Sequence, residues 1–333
     1  MTQELNTRGK VRIYACGGCG VNIGSMLEKW RPDPSPTIAQ LDIAYIDTSR
    51  SNLKHVNAPA DRIYLFEGLD GSGQIRKENV KDISVKVADI LDTFEPQDLA
   101  IVLHSACGGS GSVIGPSIVS ALLEAKKAVI VLMVGSADTR LDALNTMNTL
   151  KSYDSIAKMR GLPVVLSYQQ NSRENKREAV DEQMVGTAVS LAILWSANNR
   201  ELDSKDLYNF LNFHIPTTFE AQVAHLTLLQ PDDTLSEDVG QVISVATLAK
   251  RGQDTALDPA PEVQYRGFLA DDAPDRLLAA MPTHFFVTDG ILDEVNMMLK
   301  TTLKQHEVQQ QSRTTKEGFL TDADKPTHSG LVL

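Results

Sequence analysis

The chain has 333 residues, 42% of them hydrophobic, with 43 acidic against 32 basic side chains and a formal net charge of -11. That length suits two packed subdomains or one large α/β unit, and an acidic balance with no basic run argues against direct binding to DNA or RNA. Met1 to Lys10 has no apolar core, every helix-length apolar stretch carries charges, and three cysteines give no disulfide framework, so a cytosolic chain without a membrane span is expected.

In chain order, a strand is expected over Val11 to Ala15, followed at once by the glycine-rich turn Cys16-Gly17-Gly18-Cys19-Gly20-Val21-Asn22. Further strands are expected at Leu41 to Asp47, Arg62 to Phe66, Leu99 to His104, Ala128 to Val134 and Pro163 to Tyr168, with helices such as Asn79 to Phe94 and Leu141 to Met159 between them. This rhythm predicts an α/β fold with a doubly wound parallel sheet, whose ligands sit at the carboxyl ends of the strands. A second glycine run, Cys107-Gly108-Gly109-Ser110-Gly111-Ser112, follows the strand that ends at His104.

Arg177 to Asn198 reads as one long helix, with Val180, Met184, Val185, Ala188, Ala192 and Trp195 in a stripe at helical spacing. After Asp206 the pattern changes to scattered strands (Gln241 to Leu248, His284 to Thr288) and a helix from about Gly290 to Gln311, the layout of a smaller α+β subdomain. From Ser312 the chain reads as an extended tail whose apolar spots, Phe319 with Leu320 and Leu331-Val332-Leu333, have no local packing partner. The expected organisation is a nucleotide-binding domain over 1–176, a central connecting helix over 177–200, a C-terminal subdomain over 201–311 and a tail over 312–333.

A glycine run between strand and helix lets a phosphate approach the backbone, because no Cβ intervenes and N–H groups turn toward the anion. Two such loops on strands expected to be neighbours suggest that a nucleotide's phosphate chain is gripped from two sides. The candidate ligands are Gly17, Gly18, Cys19 and Gly20 in the first loop, and Cys107, Gly108, Gly109, Ser110, Gly111 and Ser112 in the second. Three other chemistries fit parts of the pattern. Cys16-x-x-Cys19 and His104-x-x-Cys107 have zinc-ligand spacing, and strand, CxxC, helix is the local order of a thioredoxin-like redox site. Gly18-x-Gly20-x-x-x-Gly24, with Asp47 at the end of the next strand, approximates a dinucleotide fingerprint, the reading of an NAD-dependent oxidoreductase. Neither run carries the Lys followed by Ser or Thr of a Walker loop, so phosphate would be held by backbone amides, hydroxyls and a bound cation.

Taken in order, these features resemble the tubulin and FtsZ superfamily. Gly17 to Asn22 resembles its first nucleotide loop and Gly108 to Ser112 its glycine-rich signature loop. Asp47-Thr48 and Gly68 to Gly73 stand where that family places its intervening loops. Asp203-Ser204-Lys205-Asp206 resembles its catalytic loop, where two carboxylates three residues apart follow the central helix. The likeness covers roughly Val11 to Leu207, and the C-terminal half matches only in layout. The chain departs at Val113, where a further Gly is usual, at Ser110, where Thr is typical, and at Glu201, where Asn is usual. Short length, divergent loops and extended tail are most similar to the phage-encoded tubulins, with a plasmid-partitioning tubulin as the alternative.

The resemblance implies a filament-forming GTPase with GTP or GDP and Mg²⁺ as cofactors. Asn22 is then expected near the ribose or base. Asp181 is expected on the base, where an acceptor-only group can receive guanine N1–H and N2–H. Asn171 is a further base contact, and Asp138 to Arg140 resembles the ribose-side loop. Asp203 and Asp206 would enter the nucleotide pocket of the next subunit and orient water, so hydrolysis would depend on head-to-tail assembly. The tail, through Phe319, Leu320, Asp322 and Asp324, would contact a neighbouring subunit. The implied setting is the host bacterial cytoplasm, with a filament that positions phage DNA or its replication compartment. No separate metal-ligand cluster, direct nucleic-acid partner or membrane partner is expected.

Overall fold

The structure is a computed structural model that describes residues 8–30, 36–231, 233 and 240–314. The tail positions Phe319, Leu320, Asp322 and Asp324 lie outside the described residues. β1 (Lys10–Cys16) runs straight into α1 (Gly17–Lys29), and the chain then forms β2 (Gln40–Asp47), the short α2 (Arg50–Leu53) and β3 (Ile63–Leu65). After α3 (Val80–Ser84) and α4 (Val87–Thr93) come β4 (Leu99–Ser105), α5 (Gly111–Glu124), β5 (Val129–Ser136), α6 (Arg140–Arg160) and β6 (Val164–Asn171). α7 (Arg177–Leu194) and α8 (Ser204–Leu211) lead to β7 (Val223–Leu229), β8 (Val242–Ala249), β9 (Gln264–Phe268), α9 (Asp275–Ala279), β10 (Thr283–Thr288) and α10 (Ile291–Thr314). Among the described residues no helix is long and apolar enough to cross a membrane.

All strands join one sheet in the order β3-β2-β1-β4-β5-β6-β7-β10-β8-β9. The run from β3 to β7 is parallel, β10 is antiparallel to β7 and β8, and β9 is parallel to β8. β4 and β5 are unbroken apolar segments, as strands covered on both faces must be. On one face Ile13, Tyr45, Leu103 and Leu132 pack with the apolar stripes of α1 and α7. On the other, Tyr14, Ile46, Val102 and Met133 pack with α5 and α6. The doubly wound expectation is met. β1 and β4, which carry the two glycine loops, are neighbours with Cys16 opposite His104. The strand order reverses between them, so the crevice beyond their carboxyl ends is the position at which open α/β sheets take ligands.

Three expectations change. Asn79 to Phe94 is two helices: a tighter bond from Lys86 N–H to the Ile83 carbonyl ends α3, leaving Val85 outside while Ile83, Val87 and Ile90 stay buried. α7 stops at Leu194 instead of reaching Asn198, because the Asn199 amide donates to the carbonyls of Ile193 at 3.0 Å and Leu194 at 2.9 Å. β7 and β9 were not anticipated. β9, with sequence QYRGF, is a polar edge strand with little hydrophobic signal of its own.

Two histidines, His104 fully buried and His225 half-buried, make stability depend on pH. His104 Nδ1 lies 3.0 Å from the Ser105 carbonyl oxygen and Nε2 2.6 Å from the Tyr153 hydroxyl, while His225 Nε2 accepts the Tyr168 N–H at 3.2 Å. Burial lowers both from 6.5 to about 4. The unfolded chain takes up these protons at a higher pH than the folded one. Stability is therefore full above pH ~6.5 and falls toward pH ~4, by up to ~3 kcal/mol per histidine. Urea unfolding at pH 7.5, 6 and 5 is expected to show a falling midpoint, and a constant midpoint would overturn this account.

Candidate phosphate site and distal acidic loop

The two glycine loops are packed against each other. Gly17 has φ +70°, and a Cβ there would lie 2.8 Å from Gly111 Cα and N; a Cβ on Gly111 would lie 2.7 Å from the Cys16 carbonyl oxygen. Neither α1 nor α5 has a side-chain cap at its N-terminus, at Cys16 or Ser110. Apart from Val113 N–H, which donates to the Ser110 carbonyl at 3.0 Å, their first-turn N–H groups have no cap and stand with the positive ends of two helix dipoles. Between the loops lies a cavity of about 250 Å³. Its floor is Gly17, Gly18 and Cys19; one wall is Ser105 with Gly108 to Gly111, and the other is Gly71 to Gly73 with Asp47, Ser49 and Asn52.

Asp47 closes β2 and is 1% exposed. Its Oδ1 accepts the N–H groups of Thr48 at 2.7 Å and Ser49 at 3.1 Å, and its Oδ2 accepts the Asn52 amide at 2.7 Å. Burial pushes this carboxyl above its ordinary range, with those hydrogen bonds pulling it back. The Ser110 hydroxyl meets that of Thr48 and lies 3.3 Å from that of Ser72, so the Ser in place of Thr keeps the hydroxyl in the cavity wall. A Cβ on Gly109 would overlap the Ser72 hydroxyl.

At the far side of the crevice, the Asn22 amide donates to Asp181 Oδ2 at 2.8 Å, with Arg177 Nε 3.6 Å from the same oxygen. Burial raises the Asp181 carboxyl, and Arg177 and Asn22 oppose the shift. Asp181 Oδ1 and Asn171 Oδ1 are buried acceptors with no hydrogen-bond partner. Asn22 thus orients Asp181, and the two unpartnered buried acceptors call for a donor.

The rival chemistries lose their geometry. His104 is a fully buried imidazole bound to Tyr153, and among the described residues no group of three His, Cys, Asp or Glu is placed to hold a metal. Cys16 is buried with its thiol 3.3 Å from the Tyr14 carbonyl oxygen, and burial pushes the Cys19 thiol up to about 12, far from a reactive thiolate. Gly20 and Gly24 serve packing: a Cβ on Gly20 would meet the Leu103 carbonyl oxygen at 2.3 Å and one on Gly24 would meet Ala15 Cβ at 3.0 Å. Asp47 already accepts three N–H groups from its own loop, an arrangement unlike an open ribose contact.

Other candidates lie apart from the cavity. Ser112 is fully buried, with its hydroxyl on the Gly109 carbonyl at 3.1 Å and under Arg76 Nε at 3.1 Å. Asp138 is exposed, its N–H donating to the Ser136 hydroxyl at 3.3 Å. The Cys107 thiol sits against the Ser105 hydroxyl. Asn52, Arg76 and Asn145 were not anticipated; nothing in their neighbourhoods along the chain marks them.

Asp203 and Asp206 do not line the cavity. They form a capping box at the start of α8: Asp203 Oδ1 accepts Lys205 N–H at 2.7 Å and Asp206 N–H at 2.9 Å, and Asp206 Oδ2 accepts Asp203 N–H at 3.1 Å. α7 separates them from the site. It begins beside Asn22 through Asp181, and near its other end Ala192 and Ser196 carbonyls accept N–H groups of Ala39 and Gly9, just before β2 and β1 begin. Its 18 residues span ~27 Å, from the carboxyl to the amino ends of the strands. Glu201 has φ +60°, a conformation that the usual Asn adopts more readily. It is held by its neighbours: Arg200 pairs with the Phe268 backbone and with Asp271 at 2.9 Å, and Leu202 is in the core.

No protein-family model matches this sequence. The phage tubulin-like protein of Pseudomonas phage PhiPA3 is 28% identical to it over 97% of this chain and 99% of its own length. The protofilament structure of TubZ from bacteriophage PhiKZ superposes with a TM-score of 0.83 at 25% identity, covering 98% of this chain and 99% of that one. The phage tubulin PhuZ with GDP gives a TM-score of 0.82 at 23% identity, covering 98% of this chain and all of that one at 100%. Full-length likeness to these proteins, two facing glycine loops at the switch point of the sheet and a paired-carboxylate loop beyond the long helix place the chain in the tubulin/FtsZ superfamily.

Proposed function

We propose that this protein is a GTPase that assembles head to tail, each subunit presenting Asp203 and Asp206 to the phosphate site of the next. One observation carries the reading: the cavity and the acidic loop lie at opposite ends of the sheet, so a chain cannot use its own acids, whereas a longitudinal neighbour presents them. Such heterologous contacts do not close, and filaments follow. The solved PhiKZ relative is a protofilament, which supports self-assembly here.

Guanine is favoured over adenine because Asp181 Oδ1 and Asn171 Oδ1 are both acceptors in want of donors, and guanine offers N1–H and N2–H side by side. The uncapped amides of α1 and α5 would surround the β- and γ-phosphates. Asp47 is the one carboxylate in the cavity lining, beside the hydroxyls of Ser72 and Ser110. These hard oxygens suit Mg²⁺ held largely by phosphate and water, an ion that would neutralise phosphate charge. Asp138 is assigned to the ribose side. On this reading residues 1–176 bind nucleotide, 177–200 connect, 201–311 serve assembly and 312–333 form a tail that contacts a neighbour. A phage filament in the host cytoplasm that positions phage DNA or its replication compartment is the role that this activity would serve.

The test is high-speed sedimentation with GTP, GDP, ATP or NAD and Mg²⁺, with released phosphate measured in the same tubes. Polymer and phosphate together, only with GTP and above a threshold concentration, are the expected result. Soluble protein in every tube, or activity per subunit that is independent of concentration, would sink the reading.

A further inference from the structure

We infer that Asn145 is a positioning residue that sets the separation of the two walls of the phosphate site, an inference that rests on the phosphate-site reading above. Asn145 lies on α6, outside both glycine loops, and is 5% exposed. Its amide nitrogen donates to the Gln74 carbonyl at 2.9 Å and to the Cys107 carbonyl at 2.9 Å. Gln74 directly follows Gly71 to Gly73 on one wall; Cys107 directly precedes Gly108 to Gly111 on the other. One planar NH₂ group, whose two hydrogens diverge at a fixed angle, therefore holds both walls at once.

The surroundings give this tie its importance. Gln74 stands at φ +65°, where a residue with a Cβ stays only under constraint. Gly109 and Ser72 are in contact with no room for a Cβ between them, so the walls already meet at their rim and their spacing is set behind it. Arg76 supplies a second tie, from Nε to the Ser112 hydroxyl at 3.1 Å and from Nη2 to the Ser112 carbonyl at 3.1 Å and the Ser152 hydroxyl at 3.2 Å. Thr149, one turn beyond Asn145, bonds the Ala106 carbonyl at 2.8 Å and so reaches the signature-loop wall alone. α6 does not need Asn145 for its own sake, since Thr139 and Asp142 close its N-terminus with a capping box.

Asn145→Asp keeps the shape and replaces the donor by an acceptor that repels both carbonyls. Asn145→Ala leaves the two carbonyls to water from the adjoining groove, which Asn145 also lines, and serves if the first variant does not fold. Thr149→Val is the control. Full-length chains are titrated with GTP, melted without nucleotide, and assayed for phosphate release across GTP concentration. Both Asn145 variants are expected to bind GTP at least tenfold more weakly and to raise KM in proportion, with kcat at saturating GTP within twofold of the unaltered chain. Thr149→Val is expected to lower the melting temperature while GTP affinity stays within twofold. Unchanged affinity in the Asn145 variants overturns the inference and leaves the phosphate-site reading intact, as does a loss that simply tracks melting temperature across all variants. Failure of the unaltered chain to bind GTP removes the phosphate-site reading itself, and this inference with it.

Discussion

Asp203→Asn is expected to bind GTP and to sediment as polymer like the unaltered chain, while releasing phosphate at least about 100-fold more slowly. The choice of Asn separates the cap that Asp203 forms from the role that the proposal gives the same side chain. Asp203 Oδ1 caps α8 by accepting the N–H groups of Lys205 and Asp206, and Asn serves as an N-cap as well as Asp does. What the substitution removes is the charge that, on the proposed reading, is offered to a neighbour's site, and loss of a group that positions or activates water costs on the order of 10²- to 10⁴-fold. Asp203→Ala would confuse the matter, since loss of the cap alone costs ~1 kcal/mol. Phosphate release and pelleting in parallel decide the outcome. Loss of GTP binding in Asp203→Asn would assign the residue to its own chain's site and end the trans reading.

Gly17→Ala is expected to weaken GTP binding by about 100-fold while the chain still folds. At φ +70° any Cβ costs ~1–2 kcal/mol, and this one would lie 2.8 Å from backbone atoms of Gly111, which cannot swing aside as a side chain can. Relief requires the two loops to part. A displacement of ~1 Å in a positioned site is enough to cost ~100-fold. Gly186→Ala is the matched control: it lies within α7, a Cβ there meets nothing within 4 Å, and the change is expected to be neutral or to stabilise by up to ~1 kcal/mol. Equilibrium titration with GTP and thermal melting of both variants are the measurements. Unimpaired binding by Gly17→Ala would reduce the first glycine loop to a structural turn.

Much of this was legible in the residues because the signals are local. A glycine run after an apolar strand, an apolar stripe at helical spacing and two acids three residues apart just past the long helix each lie within a few consecutive residues. Their physics is that of backbone conformation and periodicity, so the parallel sheet, both glycine loops and the acid pair after the long helix were read from sequence, whereas the capping box that Asp203 and Asp206 form at the start of α8 was not. The superfamily resemblance rests on the order of those same features.

What folding alone decided consists of contacts between distant residues. Asn145 joins walls 71 and 38 residues away from it, and Asn22 reaches Asp181 across 159 residues; nothing in the immediate neighbourhood of an Asn announces such a partner. The zinc-like spacing of His104 and Cys107 looked the same before folding as after, yet burial against Tyr153 made His104 a core residue. The decisive fact was the length and direction of α7. The sequence by itself determined which groups are candidates for phosphate binding and which supply acidic chemistry, because those capacities belong to residue types and short spacings. Only the tertiary structure decided that they stand at opposite ends of one subunit, because separation in space follows from how a rigid helix of ~27 Å is packed against the sheet.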